Sequence, residues 1–94
     1  MSDNLSSNIK LYSESSILEL DSLNYITVTQ NTSITTPTVS DDYYHQIRVQ
    51  MYVPSTDYTI NLGTQITIDE VGMYDITYIW FKPLERWICS LVKY

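Results

Sequence analysis

At 94 residues and 11.0 kDa the chain has material for one thin core, since a chain of this size buries roughly 65% of its extended surface. Five Lys and Arg stand against eleven Asp and Glu, a net charge of −6, so the cationic face that a nucleic-acid binder needs is missing. One Cys and one His exclude an intramolecular disulfide and a Cys/His zinc site; no apolar run nears the ~20 residues of a membrane helix, and MSDNLSSNIK lacks a signal peptide's apolar stretch.

Composition sets the fold class. Eleven Ile, eleven Thr, nine Tyr, six Val, two Trp and one Phe make forty of the ninety-four residues, and these types fit a pleated, half-buried surface. Alanine is missing, and Glu and Lys number only four and three, so the strongest helix formers are scarce. The expectation is an all-β chain: a small antiparallel β-sandwich or jelly-roll-like domain over residues 17–94, preceded by an N-terminal arm, residues 1–16.

The arm is polar and serine-rich. Besides Met1 and Leu5, Ile9, Leu11 and Tyr12 are its sizeable apolar groups, so they are the candidate anchors to a neighbouring subunit or capsid. Short extended segments follow at residues 17–20 and 24–29, with turn residues Gln30 and Asn31 between them and a short strand over residues 32–35 that Pro37 ends. Residues 40–42 read as a loop. In residues 46–53, Ile47, Val49, Met51 and Val53 alternate with Gln46, Arg48, Gln50 and Tyr52, the period of a half-buried strand. Tyr58, Ile60 and Leu62 alternate again before Gly63, and Ile66 and Ile68 follow at strand spacing. Residues 73–81 and 85–94, separated by Pro83, are the last two strands. Turn signals every 8–12 residues are the mark of an antiparallel sandwich or barrel.

Those last two strands are apolar on both faces. Tyr74, Ile76, Tyr78 and Trp80 share one side, and Ile79 and Phe81 lie on the other; Trp87, Cys89 and Leu91 are backed by Ile88, Val92 and Tyr94. A lone sandwich buries one face of each strand and wets the other. Loops covering a central strand would explain the pattern. So would a subunit interface, where aromatic residues are enriched, and it makes Ile79, Phe81, Ile88, Val92 and Tyr94 the candidate contact residues.

Catalytic patterns are missing. Cys89 sits among Ile88 and Leu91, where cysteine acts as a small hydrophobe, and His45 stands at a strand entrance after Tyr43 and Tyr44. Asp41-Asp42 and Asp69-Glu70 are sequence neighbours that an extended chain points to opposite sides, so neither makes an acid/base dyad. With only Gly63 and Gly72, no glycine-rich phosphate loop exists, and no calcium-loop motif is present. The expectation is a non-enzyme without cofactor or metal, binding neither nucleic acid nor membrane.

Several segments together resemble a family pattern: Ile47-Arg48-Val49-Gln50-Met51-Tyr52, Thr59-Ile60-Asn61-Leu62-Gly63-Thr64, Gly72-Met73-Tyr74-Asp75-Ile76 and Trp87-Ile88-Cys89-Ser90-Leu91-Val92, with Asn31 to Pro37 upstream. The chain from about residue 17 onward is similar to small β domains of head-decoration, head-fibre and tail-fibre proteins of tailed bacteriophages, particularly those infecting Bacteroidota, crAss-like phages among them. The resemblance implies a virion location, partners among the phage major capsid protein and other virion proteins, and no catalytic residues. With the arm and the two-faced strands, it leads to the expectation of an auxiliary or decoration protein on the capsid exterior, self-associating as a homo-oligomer, foremost a trimer. The alternatives are a trimeric fibre domain touching a host receptor or carbohydrate through Tyr43, Tyr44 and Tyr58, and an acidic inhibitor of a host enzyme.

Overall fold

The computed structural model describes the backbone of residues 9–12 and 16–94, with side chains from Ile17 onward. The described residues form eight strands, β1 (Ile9–Tyr12), β2 (Ser16–Ile17), β3 (Leu23–Thr27), β4 (Thr32–Thr35), β5 (Gln46–Val53), β6 (Ile60–Asn61), β7 (Gly72–Phe81) and β8 (Arg86–Lys93). The one helical element among the described residues is a 3₁₀ turn, Lys82–Leu84, holding Pro83 between β7 and β8. The all-β class and the alternation over β5 and β7 are as expected from the sequence.

The strands form two sheets, ordered β1-β3-β5-β7-β8 and β2-β4-β6. The chain reaches them by coiling. Each of the pairs β1–β2, β3–β4 and β5–β6 places one strand in each sheet, parallel to its predecessor. Only β5–β7 and β7–β8 are antiparallel. This corrects the antiparallel, jelly-roll-like expectation in the N-terminal half. Alternation reports which face a side chain takes, and it is the same for parallel and antiparallel strands. The turn signals read as hairpins serve here as corners that carry the chain from one sheet to the other. Residues 9–12, expected in the arm, add a strand to the large sheet, with Ile9 beside Leu23 and Tyr12 beside Ile26.

The core lies between the sheets. Ile47, Val49, Met51 and Val53 of β5 meet Tyr78, Ile76, Tyr74 and Gly72 of β7 in register, and Leu18, Ile34, Ile60 and Leu62 close the other side. Fully burying side chains of this kind contributes about 1.5–3 kcal/mol each. Residues 64–71 do not continue as a strand; Ile66 and Ile68 are half-buried and pack on the core from a loop. Two tyrosines hold that loop: Tyr78 donates to the Leu62 carbonyl at 2.7 Å and Tyr74 to the Glu70 carbonyl at 2.6 Å. Gly63 begins it at φ +76°, where a Cβ would stand 2.9 Å from the Ile34 carbonyl oxygen, so no other residue fits without displacement.

Candidate interaction surface

The large sheet has an outer face that nothing in the described chain covers. Ile79 and Ile88 are cross-strand partners there, as are Asp75 and Val92, and the Tyr94 amide donates to the Met73 carbonyl at the end of the hairpin. Ile79, Phe81, Ile88, Val92 and Tyr94, the five residues picked out as contacts, therefore share one surface and are 38–73% exposed. Met73 and Tyr52, register partners on β7 and β5, extend it. Exposed apolar groups in a contiguous patch are what an interaction site presents, whereas single ones need no explanation. The anchors proposed for the arm, Ile9, Leu11 and Tyr12, lie on β1, and their side chains lie outside the described residues.

A charged pair sits within this surface. Arg48 on β5 donates to Asp75 on β7 at 2.7 Å, and the Tyr94 hydroxyl approaches the same carboxylate oxygen at 3.3 Å. The second oxygen of Asp75 is buried and has no hydrogen-bond partner among the described residues. An open recess of about 350 Å³ adjoins Arg48, lined also by Asp21, Ser22, Leu23 and Gln46.

At the strand entrance beside that recess the fold builds a cluster that sequence reading missed. His45 directs Nδ1 to Asp21 at 2.8 Å and Nε2 to Asp41 at 2.8 Å, with its side chain only 9% exposed. Asp21, in the left-handed region at φ 58°, also accepts from the Gln46 amide, and Asp41 accepts from the Tyr43 amide. The hydrogen bond to Asp41, then that to Asp21, raises the imidazole pKa; the His45 bond and the Tyr43 amide lower that of Asp41. Nearby, Lys82 pairs with Asp42 at 3.0 Å, which raises the lysine pKa. The cluster fastens the loop before β5 to the turn before β3, leaving Tyr43 and Tyr44 73% and 79% exposed.

Chemically the cluster is a clamp. Both imidazole nitrogens are taken by carboxylates, so neither is left to accept a substrate proton or to ligate a metal. Cys89 is half-buried on the inner side of β8, and burial raises its thiol pKa, the reverse of an activated nucleophile. Among the described residues no three or more His, Cys, Asp and Glu are grouped to hold a metal ion, and no helix is long and apolar enough to cross a membrane. Sequence contained one faint pointer to the clamp, the four-residue spacing of Asp41 and His45. Asp21 is remote in the chain and arrives only through the coil. Comparison with protein-family models, with curated proteins and with solved structures returned no match.

Proposed function

We propose that the protein is a structural subunit of a bacteriophage virion, an auxiliary or decoration protein on the capsid exterior, and that it works by association and not by catalysis. The observation that carries this reading is the outer face of the large sheet, where Ile79, Phe81, Ile88, Val92 and Tyr94 lie together and exposed. Burying such a face against another copy or against the capsid contributes about 25 cal/mol per Å² before the costs of association. The phage-like motifs over residues 46–92 point to the virion as the setting. The net charge of −6 favours solubility of the free subunit.

Mass spectrometry of virions purified from the encoding phage tests the reading. Copy number comparable with the major capsid protein is expected for a decoration protein. Absence from the particle overturns the proposal. A count of a few dozen favours the fibre alternative, which has its own support in the exposed Tyr43 and Tyr44 held out by the Asp21–His45–Asp41 clamp. In that case Y43A/Y44A is expected to abolish adsorption to host cells while the particle still assembles.

A further inference from the structure

The edge of β8 carries information that its exposed face does not. The Tyr94 amide donates to the Met73 carbonyl. In an antiparallel ladder the backbone groups of successive residues point alternately to the two sides. Residues 86, 88, 90 and 92 therefore turn their N–H and C=O toward β7. Those of Trp87, Cys89, Leu91 and Lys93 point away from it. β8 is the last strand of its sheet, and no described residue hydrogen-bonds to these outward groups. Natural edges of this length are blunted by a bulge, a proline or a mid-strand charge. Here the charged residues of the strand are its terminal ones, Arg86 and Lys93, with W-I-C-S-L-V between them.

We propose that β8 pairs with β8 of a second copy, antiparallel about a two-fold axis at Ser90, joining the two large sheets into one. This rests on the association proposed above, takes one partner to be another copy, and places that contact at the sheet edge, leaving the outer face open. One register engages all four outward residues of each copy: Trp87 opposite Lys93 and Cys89 opposite Leu91, with Ser90 opposite itself. Shifting the pairing by two residues in either direction loses one of the four.

The side chains are compatible with that register. On the outer face Ile88 lies opposite Val92 of the second copy, twice by symmetry, so the exposed apolar stripe continues across the axis. On the inner side Lys93 of the second copy faces Trp87, a cation against an indole. That side opens on a groove of about 430 Å³ between Gly63, Thr64, Ile66 and the strand, where Arg86 is the charged lining residue, and within its own chain Lys93 lies 3.6 Å from Glu70. Arg86 is opposite Tyr94 of the second copy, so in this register no two like charges are direct cross-strand partners. The contact is isologous and closes on itself, leaving no β8 edge free to propagate. Its unit is a dimer, in place of the three-fold association expected from the sequence.

In this register Ser90 is a non-hydrogen-bonded pair with its symmetry mate, with Cα atoms about 4.5 Å apart, within disulfide range. The full chain carrying S90C/C89S is expected to form a cross-linked dimer on mild oxidation. T77C/C89S, whose thiol lies on the outer face one strand in from the edge, is expected not to. I88K/V92K sets like charges opposite each other and is expected to lower dimer affinity by about tenfold or more, whereas I88E/V92K sets opposite charges there and is expected to retain the dimer. Circular dichroism on each variant verifies that the exposed positions tolerate the changes. Light scattering on the wild type separates the two readings. A wild-type chain that stays monomeric up to about 50 µM overturns self-association altogether. A trimer, an oligomer that S90C/C89S fails to cross-link, or cross-linking by T77C/C89S instead, overturns the edge pairing and leaves self-association standing.

Discussion

Arg48 and Asp75 join β5 to β7 across the outer face of the large sheet, guanidinium to carboxylate at 2.7 Å, with the aspartate side chain 15% exposed and the arginine side chain 41%. Asp75 is thus the more buried partner, and its second oxygen is unpaired among the described residues. Removing Arg48 leaves that carboxylate without its cation. R48A is expected to cost roughly 1–2 kcal/mol, reduced from a fully buried pair by solvent at the arginine. R48M/D75L, which removes both charges, is expected to be close to neutral. Urea denaturation midpoints check both; equal losses for the two variants would mean that leaving Asp75 without its cation adds no penalty of its own.

The His45 clamp makes stability depend on pH with opposite signs on its two sides. The imidazole pKa is raised above its ordinary 6.5 in the folded chain, so its contribution is complete below pH 6.5 and is lost as pH rises through the raised value. The Asp41 pKa is lowered from its ordinary 3.8, so its contribution is present above that pH and is lost as pH falls through the lowered value. The melting temperature of the wild type is therefore expected to decline above pH 6.5. H45Q, which keeps a polar side chain without the titration, is expected to flatten that limb. An unchanged slope in H45Q would assign the decline to other groups.

Tyr78 ties the central strand of the hairpin to the loop after β6. Y78F is expected to lose about 1–3 kcal/mol, because the Leu62 carbonyl is left without its buried donor. Burial pushes the Tyr78 hydroxyl pKa well above the usual tyrosine range, so this phenol is expected to stay protonated in alkali that ionises exposed tyrosines. Ultraviolet titration of wild type and Y78F checks it: a curve that loses a titrating group near pH 10 in Y78F refutes the burial effect.

Gly63 carries the entry to the same loop. G63A is expected to destabilise by about 1–3 kcal/mol, from the left-handed backbone and the approach of its methyl to the Ile34 carbonyl. A melting temperature unchanged from wild type would mean that the turn relaxes to a conformation open to alanine.

Deleting residues 1–12 removes β1 and is expected to leave a β-type circular dichroism spectrum, since the core residues begin at Leu18. The Arg48 amide donates to Ser22 and the Val28 amide to Tyr52, so the intervening odd residues of β3 turn their amides toward β1. The amides of Tyr25 and Thr27 are expected to lose hydrogen-exchange protection in the truncated chain, while those of Asn24 and Ile26 keep it. Uniform loss across β3 would show that β1 supports the whole domain.

The residues themselves determined the all-β class, the inward faces of β5 and β7, and the grouping of Ile79, Phe81, Ile88, Val92 and Tyr94 on one surface. Each follows from a period of two and from apolar types on both sides of the last two strands, which are local properties of the chain. Strand direction was not legible, because side chains alternate identically in parallel and antiparallel ladders and a turn residue bends the chain without stating which sheet it bends toward. Tertiary structure alone decided that Asp21 and Asp41 would meet on His45 and that Asp75 would face Arg48. Those contacts join residues 24 and 27 positions apart for the long-range pairs, a separation that no local pattern encodes and that only the coiling of the chain between two sheets closes.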